Sequence, residues 1–245
     1  MIKLIINKKK YKYRSKQSEI TYRIGRELEL LKEEYPCDCN PEFHKWILTI
    51  LCGCTFEIAD LVTEEQLARL IGVHPYFAND IKVALPRYIK INHKLHEYQT
   101  FENITVLEYS ELDMLSSDGE NLELFKRLYK PINWKLKNWW KYLLIKNKKS
   151  YEDCNYFVIR LAINQHYWWK RNLMLEYKLT YDNPNIAIED QPDEVKLTPV
   201  EKFGMYHIVM QICGNDIEKF HWWQDREVRE LFKYLLYLKM KQASE

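Results

Sequence analysis

Two stretches of this chain are written in the same grammar, and that repetition constrains its fold more than any other feature. Ile6 to Ser15, INKKKYKYRS, lies over Ile91 to Thr100, INHKLHEYQT, with Ile6/Ile91, Asn7/Asn92, Lys9/Lys94 and Tyr13/Tyr98 matching at a constant offset. After one residue is dropped from the following loop the match resumes. Ile20 to Leu31, ITYRIGRELELL, lies over Ile104 to Leu115, ITVLEYSELDML, with Glu29/Asp113 and Leu30/Met114 conservative. Each copy predicts a short strand, a polar turn at Asn7-Lys8-Lys9 or Asn92-His93-Lys94, and a returning strand. Thr21 or Thr105 then caps a helix whose Leu28 and Leu31, or Leu112 and Leu115, share one face. A lone hairpin is marginal in water, so each must pair with its twin or dock on a helix.

Further helix signals follow. Asn40-Pro41 reads as a cap with proline in the first turn, and Gly53 suits the end of that helix. Thr63 with Gln66 forms a capping box before an apolar run. Thr198-Pro199 opens a helix closing at Gly214, and Asp225 is expected to cap the last helix, whose Val228, Leu231, Leu235 and Leu238 form an apolar stripe. The expected class is therefore α+β, predominantly helical, with a duplicated hairpin-plus-helix module followed by a C-terminal helical unit. The expected segments are 1–85 for the first repeat, 86–176 for the second with its Trp-rich helices, 177–197 for an acidic connector and 198–245 for the C-terminal unit.

Charge is unevenly spread although the net formal charge is only +2. Residues 1–35 carry ten Lys/Arg against five Asp/Glu, and residues 182–201 carry six acids against Lys196. A basic arm and an acidic connector can meet each other or meet a neighbouring copy. The apolar runs fall short of the ~20 residues that a membrane span requires, so no membrane partner is expected.

The cysteines are the first candidates for chemistry. Cys37, Cys39, Cys52 and Cys54 stand as two C-x-C pairs, with His44 between them. Zinc knuckles ordinarily use C-x-x-C, whose turn aims both sulfurs at one ion. Residues two apart on a helix point about 200° apart, so Cys52 and Cys54 do not converge without unwinding at Gly53. Packing is the favoured reading, with no metal and no cofactor, and His44 is expected to be a partly exposed helical histidine. His93 and His96 lack the accompanying glutamate of a metal-binding helix motif. No Gly-rich phosphate loop, nucleophile elbow or dinucleotide fingerprint occurs. The chain is read as non-enzymatic, with no catalytic residue.

The tryptophans are the second candidates. Trp139-Trp140, Trp168-Trp169 and Trp222-Trp223 are adjacent pairs, each a broad apolar face that core or partner must cover. These six residues are the candidate interface, because Trp is enriched at binding hot spots. From Glu120 to Lys178 thirteen Lys/Arg are interleaved with aromatics against five acids, which also fits single-stranded nucleic acid held by stacking.

The order hairpin, IT-capped helix, short apolar helix ending in proline (LELFKRLYKPI) resembles small virion and tail-assembly proteins of tailed phages of Bacteroides-type gut bacteria, including the crAss-like group. The C-terminal run from Lys202 to Gln242, with its Gly214-x-Asp216 turn and final amphipathic helix, is similar to the ends of such proteins. What that resemblance implies is a structural protein of the virion, in a neck or tail ring or connector. Its partners would be further copies of itself and neighbouring virion proteins. An assembly chaperone that leaves before maturation, and a single-strand-binding accessory protein, are the alternatives.

Overall fold

The computed structural model describes residues 2–35, 40–71, 83–101, 104–117, 121–132, 143–177, 205–214 and 216–243. Strands β1 (Ile2–Ile6) and β2 (Lys9–Tyr13) form an antiparallel hairpin in which Ile6 faces Lys9. Strands β3 (Tyr88–Ile91) and β4 (Lys94–Tyr98) form a second, in which Ile91 faces Lys94. Both two-residue turns use positive φ at both positions: 48° and 64° at Asn7 and Lys8, 46° and 61° at Asn92 and His93. That is the turn whose twist matches paired strands, and asparagine tolerates its first position better than most residues. The β1–β2 sheet has two strands, whereas the second hairpin belongs to a four-stranded sheet ordered β5–β4–β3–β6. There β5 is Tyr129–Pro131 and β6 is Asn147–Lys148, which lies parallel to β3.

The helices are α1 (Tyr22–Glu34), α2 (Pro41–Cys52), α3 (Phe56–Ala59), α4 (Glu64–Ile71), α5 (Val106–Ser117) and α6 (Asn121–Leu128). They continue with α7 (Tyr156–Glu176), α8 (Met205–Cys213), α9 (Ile217–Gln224) and α10 (Val228–Gln242). The predominantly helical α+β class expected from the repeats is the class observed.

The chain folds into two compact units, Met1–Glu97 with Pro131–Ala162, and Tyr98–Lys130 with Ile163–Glu245. In the first, Asn40 caps α2 by accepting from the Glu42 N–H at 2.9 Å, and Gly53 ends it at φ 66°. The Arg14 guanidinium donates to the Leu51 carbonyl at 2.9 Å, satisfying one of the carbonyls that the end of α2 leaves open. Phe43, Ile47, Leu48 and Leu51 of α2 pack with Leu28 and Leu31 of α1, Ile6 and Tyr13 of the hairpin, and Tyr156 and Phe157 of α7. His44 is also buried, not partly exposed as expected, because the apolar face of α2 wraps round to include it. The Thr63–Gln66 capping box forms as read, with bonds of 3.2 and 3.3 Å.

The duplication extends beyond what the two sequence stretches reveal. The first turn of α1 is paired with the start of α7: Thr21 bridges Asn155, the Tyr22 N–H donates to the Cys154 carbonyl at 2.8 Å, and the Tyr156 N–H donates to the Ile20 carbonyl at 2.9 Å. In the second unit α5 is paired with the start of α10 in the same way. Thr105 bridges Glu227, the Val106 N–H donates to the Arg226 carbonyl at 2.8 Å, and the Val228 N–H donates to the Ile104 carbonyl at 2.9 Å. Even the preceding turns agree, with Cys154 bonded to Tyr151 and Arg226 to Trp223, each at 3.0 Å. Asp225 therefore does not cap the last helix. Its place is the end of α9, and α10 starts at Val228, whose N–H donates to the Ile104 carbonyl without a side-chain cap.

Bulk is exchanged between the two copies. Gly25 of α1 sits against the Tyr156 ring, where a Cβ would lie 2.1 Å from ring carbon Cδ2. At the matching positions of the second copy stand Tyr109 and Val228, the large residue on the first helix and the smaller on the second. Each copy thus carries one large and one smaller residue at the matching positions, and both Tyr109 and Val228 are buried.

Candidate functional site

The C-terminal helices carry an aromatic face with several exposed rings among the described residues. Asp216 opens α9 by accepting from the Glu218 and Lys219 N–H groups at 3.0 and 3.2 Å. This short separate helix places Phe220 inward and Trp222 outward, with Trp223 half-buried between. Trp222 meets Trp223 edge to face at 5.0 Å, Trp223 meets Tyr234 of α10 at 5.5 Å, and Tyr234 stacks on Tyr237 at 6.5 Å. Tyr234 and Tyr237 are one helical turn apart on one face, and Met240 continues it. Trp222 is 52% exposed, Tyr237 59% and Met240 66%. At the far end the Arg226 guanidinium lies 4.3 Å above the Trp222 ring, held by the ring's negative face. Charges of both signs flank the row: Arg226 pairs with Glu230 at 3.8 Å and Arg229 with Glu176 at 3.0 Å, while Asp225 and Glu227 precede α10 and Lys233 lies on it.

Of the expected interface residues, Trp168 and Trp169 part company. Trp169 stacks on Phe101 at 4.5 Å and meets Tyr109 edge to face at 5.9 Å, inside the unit. Trp168 is 66% exposed on α7, with Leu175 two turns further along and also exposed. Neighbouring helical positions point about 100° apart, which is why one ring of the pair packs and the other does not. Trp139 and Trp140 lie outside the described residues, as do Cys37 and Cys39.

Cys52 and Cys54 are free and half-buried. Burial pushes the Cys52 thiol up to about 12, with Cys54 adding to the rise and Arg14 opposing it, while burial also raises Cys54. Thiols raised in this way are weak nucleophiles and weak ligands at neutral pH. Among the described residues no group of three or more His, Cys, Asp or Glu side chains stands close enough to hold a metal ion. Nor is any described helix long and apolar enough to cross a membrane.

Sequence reasoning missed a buried polar cluster in the second unit. His166 of α7 is fully buried, and neither ring nitrogen has a hydrogen-bond partner among the described residues. Its ring packs 5.7 Å from Phe101 and 6.1 Å from Trp169. Burial, with Lys170 adding and Asp113 opposing, holds it down to about 4, so it is neutral at pH 7. One turn along, Lys170 donates to Asp113 of α5, whose other oxygen accepts from the Met205 N–H of α8 at 3.3 Å. Asp113 thus ties three helices by one carboxylate. Nothing in the run NQHYWWK distinguishes this His from a surface residue; the only signal was that Asp113 replaces Glu29 at the matching repeat position.

Compared with family models, with curated proteins and with solved structures, the chain finds no match.

Proposed function

We propose that this chain is a non-enzymatic structural protein that works by holding other chains, as a ring or connector component of a phage neck or tail. The observation that carries the reading is the aromatic row Trp222, Trp223, Tyr234 and Tyr237, three of whose rings are exposed. Exposed aromatics in a continuous row are costly to leave in water and are the residues that dominate interface energetics. A chain with segregated positive and negative segments suits head-to-tail contacts, which close into rings when the rotation permits. The virion assignment itself rests on the resemblance of the hairpin, capped helix and C-terminal run to phage assembly proteins.

Hydrogen exchange on the purified chain, at low and at high concentration, tests this. Association through the aromatic face slows exchange in α9 and α10 as concentration rises. The paired change Trp222→Ala with Tyr237→Ala, both exposed, abolishes that slowing without altering the far-ultraviolet spectrum. Slowing confined to other elements would refute the role given to this face. Single-stranded oligonucleotide that binds there, weakening steeply with salt, would favour the accessory nucleic-acid reading instead.

A further inference from the structure

The first unit holds a second open surface. Its two-stranded sheet ends at β1, and among the described residues no strand takes the outer side. In a two-residue hairpin the paired bonds fall at Ile6–Lys9 and Leu4–Tyr11, so the backbone N–H and C=O of Lys3 and Ile5 turn outward. Beside that edge runs α4. Together they line a groove of about 240 Å³ formed by Leu4, Ile5, Ile6, Val62, Gln66, Arg69 and Leu70. Its walls are mostly apolar, with Gln66 and Arg69 as the polar members, and Ile5 is 67% exposed. The hairpin carries Lys3, Lys8, Lys9, Lys10, Lys12 and Arg14 and no acid. A strand edge flanked by a helix accepts an extended peptide: main-chain bonds give affinity, and pockets for alternate side chains give selectivity.

We propose that the occupant is the acidic connector of a second copy of this chain, adding along β1 through residues 185–191. Its sequence has the required chemistry. Ile186 and Ile188 alternate with Ala187, the acids Glu189, Asp190, Asp193 and Glu194 follow, and Pro184 and Pro192 leave seven residues between them able to donate. Ile186 and Ile188 fill the groove against Leu4, Val62 and Leu70, while the acids meet the lysine-rich hairpin. The contact joins different surfaces of two copies, which is the head-to-tail geometry that a ring requires. It rests on the assembly reading and supplies that reading with a second joint.

The test is fluorescence anisotropy of a labelled synthetic peptide, residues 183–194, titrated with the full chain at low micromolar concentration. The expected result is saturable binding that weakens as salt rises from low to physiological strength and above. A peptide carrying Ile186→Asp and Ile188→Asp binds at least tenfold more weakly. Ile5→Glu in the protein, at an exposed position, weakens the native peptide to a similar degree. The peptide changes leave the protein untouched, so loss of its fold cannot mimic the outcome. Equal binding of native and double-Asp peptides, or no binding at all, would overturn the proposal, as would a connector bound only within its own chain. The Trp222→Ala, Tyr237→Ala protein should bind the peptide as the native chain does, so failure of the groove and failure of the aromatic face read out separately.

Discussion

Replacing Gly25 with alanine adds one methyl group in the middle of α1, a change that ordinarily stabilises a helix by about 1 kcal/mol. Here the sign should reverse. The new Cβ would stand 2.1, 2.2 and 2.8 Å from Cδ2, Cγ and Cβ of Tyr156. Because one of those atoms is the Cβ, the ring cannot rotate clear, and Tyr156 is further held by its hydroxyl bond to Glu29. Overpacking of this kind costs about 1–3 kcal/mol, and contacts this close belong at the upper end. The net expectation is a loss of about 2 kcal/mol, or roughly 4–8 °C in melting temperature for a chain of this size. Tyr156→Val, which imports the small partner used in the second repeat, should itself cost about 3 kcal/mol through the lost ring. In that background Gly25→Ala should become neutral or stabilising by up to about 1 kcal/mol, a coupling of about 2–3 kcal/mol. Urea denaturation followed by circular dichroism measures all four proteins. If Gly25→Ala costs the same in both backgrounds, the exchanged-bulk account of the two repeats is wrong.

The buried cluster gives two further expectations, and the half-buried Cys52 of the first unit a third. Asp113→Ala strands the Lys170 ammonium and removes the acceptor of the Met205 N–H, so it should cost about 3–5 kcal/mol in the same urea assay. His166 has a folded-state value near 4, below its ordinary 6.5, so the unfolded chain binds more protons between those limits. Its share of stability is complete above pH 6.5 and lost as pH falls toward 4, about 3 kcal/mol in all; the difference between native and His166→Leu proteins across that window measures it, and parallel curves would contradict it. Cys52, raised to about 12, should react with iodoacetamide at pH 7.5 far more slowly in the folded chain than in urea, as read by mass spectrometry of the digested peptides.

How much of this was legible beforehand depends on the reach of each interaction. The hairpins could be read because Asn7 and Asn92 favour a local backbone conformation, and α2 could be read because Asn40, Pro41 and Gly53 act within a turn of their own helix. The pairing of Thr21 with Asn155 could not, since two backbone bonds across 134 residues leave no periodic trace. Gly25 was a hint left unused: a glycine inside a helical pattern asks for a packing reason, and Tyr156 supplies it. Asp225 misled because its residue type suits a cap, whereas it ends α9 and the Val228 N–H at the start of α10 donates to the Ile104 carbonyl. At the candidate site the adjacent tryptophans drew attention to the right helices, yet only the packing of Trp169 on Phe101 separates the half-buried ring from the exposed Trp168. The extension of the aromatic row to Tyr234 and Tyr237 needed the fold of α9 onto α10, which no sequence window spans.

The central claim is that the chain acts by joining other copies of itself through uncovered surfaces. Sedimentation velocity of the full chain over a hundredfold concentration range tests it most directly, run beside the Trp222→Ala, Tyr237→Ala protein. The account predicts mass that rises with concentration toward a closed oligomer in the native chain and is held back in the variant. A native chain that stays monomeric throughout, or a variant that associates identically, would contradict it.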